Sequence, residues 1–219
     1  WSEENKFKKY LDVEIAALEG WSKIGVIPPD TVEKIKEKAK INIERINEIE
    51  KITNHDVIAF VEQVSETVGE EGKYIHLGLT SSDIIDTSYA LILREAGNII
   101  LEDIEKLIEV LKNKAIQYKD TLMIGRTHGI HAEPITFGFK IATWYFEFLR
   151  NKERLKNAID DISVGKISGA VGTFSNVEVD VEEYVCNKFN LKREKFSTQI
   201  ISRDRYAYFI ATLGVIASS

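Results

Sequence analysis

The amino-acid sequence predicts an all-α protein with a small N-terminal helical domain and an elongated helical bundle after it. Apolar residues recur at three- and four-residue steps through most of the chain, which is the spacing of one helix face. Strand-like alternation is scarce, and the only prolines are Pro28, Pro29 and Pro134. The helical patterns are short in residues 1–83 and long in residues 84–219, which we predict to be two domains.

Four short helices are expected in the N-terminal domain. In order, they are residues 2–24, a helix that starts at residue 30 or 31, a helix that carries Ile43, Ile46 and Ile49, and residues 56–68. A turn at Pro28-Pro29 separates the first two helices. Gly25 and Gly69 end the first and the fourth, because glycine readily adopts the backbone conformation that closes a helix.

Two long helices are expected in the second domain. The first continues from Ser82 to about Tyr118, well beyond the usual length of roughly 11–12 residues. The second follows Pro134, which suits the first position of a helix, and its apolar pattern continues to Ile162. Helices with such wide apolar faces need partners, so the pattern indicates a bundle shared between subunits.

The segments after the long helices have more than one interpretation. Residues 164–173 are rich in glycine and form either a flexible or anion-binding loop or a close crossing of helices. They are not a phosphate loop, because no Gly-Lys-Ser/Thr follows the glycines. A short helix is expected near Val179–Phe189 and a final apolar helix after Arg203-Asp204-Arg205. The two arginines at that helix start are either solvated or bind a carboxylate or phosphate.

Composition disfavours several classes of function. The net charge is −6 and no long basic run is present, which disfavours a nucleic-acid partner. No apolar run approaches the roughly 20 residues that span a bilayer, and no signal peptide is visible. The single cysteine, Cys186, is expected to be a packed thiol and suits a reducing cytoplasm. The chain begins at Trp1 and ends inside an apolar pattern, so we expect a fragment of a longer polypeptide.

The segment Gly125–Pro134 carries most of the chemical information. His128 and His131 lie in it among glycines, Arg126 and Glu133. If its proline opens a helix, the segment lies at a helix N-terminus, where anions are favoured. Histidine exchanges protons near neutral pH, so the segment predicts proton transfer on an anionic substrate. The alternative is a glycine-rich turn whose histidines only satisfy backbone groups.

All four histidines lie in short polar segments between helical patterns. Besides His128 and His131, they are His55, in Asn54-His55-Asp56, and His76, shortly before Thr80-Ser81-Ser82-Asp83. Functional residues concentrate at such junctions, and three of them could converge at one end of a bundle.

Four blocks of the sequence, in this order, resemble the adenylosuccinate lyases of the fumarase/aspartase superfamily. The blocks are Thr80–Asp83, Gly125–Pro134, Lys166–Gly172, and Ser197–Gln199 with Arg203–Arg205. The resemblance extends over essentially the whole chain and includes two of the three signature regions of the superfamily. The third, a serine-rich loop of the form Ser-Ser-x-Met-Pro-x-Lys-x-Asn-Pro, does not occur in these residues.

The resemblance implies a reaction and an assembly. Fumarate is eliminated from adenylosuccinate to give AMP, and from succinylaminoimidazole-carboxamide ribotide. Neither a metal nor an organic cofactor is implied. The partners implied are the small anionic substrate and other copies of the chain, in a homotetramer whose active sites are shared between subunits.

Site residues follow from the same resemblance. His128 matches the general acid that protonates the departing nitrogen, and the general base is the serine of the loop that these residues lack. His76 is a supporting member of the catalytic set, and His131 and Glu133 support the segment around His128. The substrate-binding positions are Asn54, His55, Asp56, Thr80, Ser81, Thr127 and Gln199.

Two alternatives remain open. Another member of the superfamily, such as a carboxymuconate cycloisomerase-like enzyme or an argininosuccinate lyase, shares the fold and the carboxylate chemistry. The junction Asn54-His55-Asp56 and residues 197–205 favour the purine substrate. The other alternative is a helical scaffold without catalysis, which the missing serine loop would favour but histidines at three junctions would not.

Overall fold

The structure is a computed structural model that describes residues 1–219, and it is mostly helical, as predicted. The helices are α1 (Glu3–Lys23), α2 (Pro29–Lys38), α3 (Ile43–Thr53), α4 (Asp56–Val68), α5 (Ser81–Gln117), α6 (Phe137–Ile162), α7 (Val179–Lys188) and α8 (Asp204–Ala217). A 3₁₀ helix, Glu70–Tyr74, lies between α4 and α5. No helix is both long enough and apolar enough to cross a membrane.

Two small sheets accompany the helices. Strands β1 (Leu122–Thr127) and β2 (Ile130–Thr136) pair antiparallel. Strands β3 (Val164–Gly165) and β4 (Lys192–Arg193) pair parallel.

Side-chain caps explain where the N-terminal helices begin. The Ser2 hydroxyl accepts the N–H of Asn5 at 3.3 Å and starts α1. The Asn42 side chain accepts the N–H of Arg45 at 3.1 Å and starts α3. Such caps satisfy donors that have no partner inside the helix. Gly69, with φ 85°, ends α4 as predicted.

The chain forms two compact units, each of which is discontinuous in sequence. One comprises residues 1–93 and 163–202, and the other residues 94–162 and 203–219. The predicted division into residues 1–83 and 84–219 rested on helix length and stays a prediction.

The core of the first unit is built on α1 and α4. Phe7 and Phe60 stack with their ring centroids 5.8 Å apart, and Tyr10 meets both rings edge-on. Close packing of α1 against α7 depends on Gly20, since a Cβ there would lie 3.1 Å from the Cα of Val181. This core fixes the ends of the helices that carry the candidate site.

The second unit packs α6 against α8. Arg205 donates from Nη1 to the carbonyl oxygen and to Oδ1 of Asp161, each at 2.8 Å. This internal ion pair is neither of the two roles considered for the arginine, a solvated helix start or the binding of a ligand's carboxylate or phosphate. Large apolar side chains are exposed on α5, α6 and α8 in this unit: Ile99, Leu107, Val110, Phe139, Trp144, Phe146, Ile210 and Val215.

The segment around His128 is a β-hairpin, so the prediction that Pro134 opens a helix is wrong. Pro134 lies in β2 opposite Ile124, and α6 begins only at Phe137. The hydroxyl of Thr136 accepts the N–H of Phe139 at 3.1 Å and thus caps α6. This hydroxyl cap, and not the proline, sets the helix start.

Candidate active site

The junction between α3 and α4 turns sharply at Asn54-His55-Asp56. Asn54 adopts a left-handed backbone conformation, with φ 53°, and ends α3. His55 then caps α4, with its Nδ1 accepting the N–H of Ile58 at 3.3 Å. Asp56 is exposed at the first position of α4, and its Oδ1 accepts the N–H of Val57 at 2.8 Å. Three of the predicted substrate-binding residues thus share one helix N-terminus.

His55 brings this helix start next to the start of α5. Its Nε2 lies 3.4 Å from the Oγ of Ser81, the first residue of α5. Because Nδ1 accepts a hydrogen bond, a neutral His55 carries its proton on Nε2, which is then a donor. Two helix N-termini, an N–H donor and a hydroxyl therefore lie side by side, an arrangement that suits an anionic group.

A buried ion pair fixes the start of α5. Thr80 donates its N–H to Oδ2 of Asp83 at 2.9 Å. The same carboxylate accepts the N–H groups of Ser168 and Gly169, each at 3.1 Å, and the ammonium group of Lys166. The side chains of Asp83 and Lys166 are both fully buried. The predicted positions Thr80 and Ser81 are therefore placed by a charge pair in the interior.

The glycine-rich segment is buried from Val164 to Gly169 and exposed at Ala170, Val171 and Thr173. Its N–H groups at Ser168 and Gly169 bind the carboxylate of Asp83, so the anion that it cradles belongs to the protein. Gly165 packs closely on α7, because a Cβ there would lie 2.9 Å from the Sγ of Cys186. Burial raises the pKa of the Cys186 thiol to about 12, in agreement with the predicted packed, unreactive cysteine.

His76 is attached to α1 through a buried carboxylate. Oε2 of Glu14 accepts the N–H of His76 at 3.0 Å, and Oε1 lies 2.6 Å from the Nδ1 of its ring. Burial lowers the pKa of the His76 imidazole, but the hydrogen bond and the charge of Glu14, with the charge of Asp83, outweigh it, so the pKa is raised. The hydrogen bond and charge of Glu14 thus favour the protonated imidazole, which is the form that suits an anionic ligand.

Gln199 is exposed on a segment that is anchored at both ends. On one side, the hydroxyls of Ser197 and Ser168 lie 3.0 Å apart. On the other, Ile201 donates its N–H to Oδ2 of Asp86 at 2.8 Å. The first unit therefore contains Gln199 and every other predicted site residue except Thr127 and His128.

Thr127 and His128 lie at the tip of the hairpin in the second unit. Thr127 pairs with Ile130, so His128 and Gly129 form a two-residue turn, with φ 53° and 75°. Positive φ at both central positions is the mark of a type I′ turn. His128 is exposed, as is His131 in β2. Neither lies at a helix N-terminus, so the helix start expected here is wrong, and the roles of Thr127 and His128 stay predictions. A hairpin turn of this kind leaves its side chains exposed to solvent.

Sequence reasoning missed the interior residues that place the site. In the sequence, Lys166 appears only as one residue of the glycine-rich segment and Asp83 only as the last residue of the block Thr80–Asp83. Glu14 had no assigned role, because one glutamate in an amphipathic helix gives no signal of its own. Only the distances reveal these contacts, since Glu14 lies 62 positions from His76 and Asp83 lies 83 positions from Lys166.

Known proteins resemble the chain over its whole length. A protein family described as "Lyase" matches residues 1–219. The adenylosuccinate lyase of Aquifex aeolicus is 56% identical over 222 residues, which cover 100% of this chain and 51% of that protein. The enzyme of the same name from Staphylococcus saprophyticus is 52% identical over 219 residues, again 100% of this chain and 51% of that protein.

Solved structures show the same fold. A fumarate lyase from Mesorhizobium sp. BNC1 has a TM-score of 0.93 and 30% identity, covering 99% of this chain and 52% of that one. The β-carboxy-cis,cis-muconate cycloisomerase of Acinetobacter calcoaceticus has a TM-score of 0.89 and 26% identity, covering 98% and 52%. The chain therefore has a fumarate lyase-like fold.

The chain belongs to the lyase family that matches all of its residues. It spans about half the length of the curated relatives that it matches.

Proposed function

We propose that the full-length protein is an adenylosuccinate lyase of purine nucleotide biosynthesis. It eliminates fumarate from adenylosuccinate to give AMP, and from succinylaminoimidazole-carboxamide ribotide, without a metal or organic cofactor. The observation that carries the proposal is the identity of 52–56% to two adenylosuccinate lyases across the whole chain. The identity to the muconate cycloisomerase is only 26%, which disfavours that alternative.

The proposed mechanism is a general acid–base elimination. A base removes the proton next to a carboxylate of the succinyl group, and His128 donates a proton to the departing nitrogen. The Nε2–H of His55 and the hydroxyl of Ser81 bind the substrate's anionic groups, since both donors lie at helix N-termini. Fixed donors of this kind also stabilise the negative charge that develops in the transition state.

Turnover of adenylosuccinate by the purified full-length protein tests the proposal directly. We expect release of AMP and fumarate, measured by chromatography, and release of fumarate from the second purine-pathway substrate in a separate assay. Argininosuccinate and a carboxymuconate are the matched controls. Turnover of either control without turnover of adenylosuccinate would overturn the assignment, and a protein inert to all four would be a scaffold.

The second part of the proposal is a homotetramer whose active sites are shared between subunits. The proposed location is the cytoplasm. The exposed tip of the hairpin that carries His128 supports it, since an outward-facing acid can serve a site on another chain. The apolar side chains exposed on α5, α6 and α8 support association as well.

Mixing two inactive full-length variants is expected to restore part of the activity. One variant lacks His128 and the other lacks the serine of the serine-rich loop, so mixed tetramers regain some complete sites. Light scattering should give four chains per particle, and each variant mixed with itself is the control. A monomer at micromolar concentration, or no recovery after subunit exchange, would contradict shared sites.

Residues 1–219 alone are expected to be inactive on adenylosuccinate. The resemblance assigns the general base to a serine in a loop that these residues do not contain. The fragment should be assayed beside the full-length protein, with far-UV circular dichroism to confirm that it is helical. Turnover by the folded fragment would refute the assignment of the base.

A further inference from the structure

Glu14 is a buried carboxylate whose two oxygens both contact His76. Its side chain is 1% exposed, although it lies in the middle of the amphipathic helix α1. One oxygen accepts the backbone N–H of His76 and the other contacts Nδ1 of its ring, at 3.0 and 2.6 Å. A carboxylate this deeply buried needs strong compensation, and here one histidine supplies it.

These contacts determine both the backbone and the ring of His76. The residue has φ 66°, a left-handed conformation that costs a non-glycine residue energy unless its surroundings compensate. The backbone hydrogen bond to Glu14 provides that compensation. The ring contact makes Nδ1 the donor toward Glu14, so Nε2, on the opposite side of the ring, points away from α1.

Helix α1 fixes the residues after His76 as well. Trp21, two turns beyond Glu14 on the same helix face, donates its indole N–H to the carbonyl oxygen of Leu77 at 3.0 Å. Gly78 has no room for a side chain, because a Cβ would lie 2.0 Å from the carbonyl oxygen of Asn176. The segment therefore has little freedom to move His76 elsewhere.

Few charged groups act on the ring. Glu14 reaches it from α1, and Asp83 acts from α5, although Lys166 already neutralises much of the Asp83 charge. Glu14 is the only one of these groups in hydrogen-bond contact with the imidazole of His76. The orientation and charge of this ring therefore depend on Glu14 more than on any other side chain.

We propose that Glu14 is a positioning residue of the active site: it holds the imidazolium form of His76, with Nδ1–H toward Glu14 and Nε2–H directed away from α1, where Nε2–H donates to an anionic group of the substrate. The role in turnover rests on the proposed lyase function. Glu14 does not itself contact the substrate. Its effect on the reaction passes through His76.

A double-mutant cycle in the full-length protein tests this dependence. Glu14→Gln is expected to lower kcat/KM for adenylosuccinate by about 10- to 100-fold, as for loss of a hydrogen bond to a charged group. In the background of His76→Asn, which tolerates the left-handed backbone, Glu14→Gln should have no further effect. Losses that multiply would show a general effect on the fold and overturn the proposal.

Glu19→Gln is the matched control for the cycle. Glu19 lies on the same helix and forms ion pairs with Lys36 and Lys188, away from His76. Its substitution should leave kcat/KM unchanged. If Glu14→Gln does not fold, Glu14→Asp, which keeps the charge but shortens the reach, enters the same cycle.

A measurement without turnover separates this inference from the proposed function. Diethyl pyrocarbonate modifies only unprotonated imidazole, so the pH midpoint of His76 modification, read by peptide mass spectrometry, reports the pKa of His76. We expect a lower midpoint in Glu14→Gln than in the wild type and the Glu19→Gln control. Equal midpoints in Glu14→Gln and the wild type would overturn the Glu14–His76 coupling. A wild-type protein that is inert on adenylosuccinate would overturn the lyase assignment and the role of Glu14 in turnover, but not the coupling.

Discussion

Replacing His128 with alanine in the full-length protein is expected to lower kcat for adenylosuccinate by about 10²–10⁴-fold, the usual contribution of a positioned acid or base. The departing nitrogen is a poor leaving group unless it is protonated. Proton donation acts mainly in the transition state, so KM should change far less than kcat. Steady-state kinetics on both purine-pathway substrates measures the two effects.

The hairpin requires a second variant at this position. His128 has φ 53° in the tight turn with Gly129, a conformation that alanine adopts only with strain. His128→Asn is the better test, because asparagine tolerates this region and suits a type I′ turn while it removes the imidazole. Equal losses in the two variants indicate lost acid catalysis. Near-normal turnover in His128→Asn would show that hairpin strain caused the loss in His128→Ala.

His131→Ala serves as the neighbouring control. His131 is exposed in β2, opposite Arg126, and its substitution should cost little turnover. If His131→Ala or His76→Asn abolishes turnover while His128→Asn does not, the acid has been assigned to the wrong histidine.

Local signals in the sequence were enough to predict most of the helices. The predicted fourth helix, residues 56–68, matches α4, because Gly69 gives a clear stop. The first, predicted over 2–24, is observed as Glu3–Lys23 between Ser2 and Ile24. Caps and apolar spacing act within a few residues of the chain, so sequence reasoning reaches them.

The hairpin was missed because two local signals conflicted. Proline is well placed at the start of a helix, and Pro134 precedes a strong apolar pattern, so the helix was placed too early. The His128-Gly129 pair was the competing signal, since a residue that tolerates positive φ followed by glycine is typical of a two-residue hairpin turn. Gly125 is a further signal of the hairpin, because it allows the two strands to approach closely. A Cβ there would lie 2.6 Å from the carbonyl oxygen of Glu133 on the facing strand.

The interior contacts of the site lie beyond the reach of any local signal. Asp83 accepts the N–H of Thr80, three residues before it, which is the contact of a local capping motif. Its second partner, Lys166, comes from the glycine-rich segment, 83 positions further along the chain. Nothing in the sequence indicates that Asp83 and Lys166 are partners, so their ion pair can be recognised only from the tertiary structure.

Lys166→Met is expected to destabilise the protein by about 3–5 kcal/mol, the usual cost of breaking a buried ion pair by removing one partner. Methionine fills a similar volume, so the loss reflects the charge left on Asp83 and not a cavity. That carboxylate keeps three backbone N–H donors, from Thr80, Ser168 and Gly169, but no cation. Urea unfolding of the full-length protein measures the change, or the fall in Tm if unfolding is irreversible.

Arg45→Met is the matched control, because Arg45 and Glu66 form an exposed ion pair of good geometry, 2.7 Å between Nη2 and Oε1. Exposed pairs contribute little, so this variant should be much less affected than Lys166→Met. Combining Lys166→Met with Asp83→Asn removes both charges and should recover part of the lost stability. If Lys166→Met costs no more than Arg45→Met, or if the double variant is less stable than Lys166→Met alone, the Asp83–Lys166 pair does not fix the start of α5 in the way the geometry indicates.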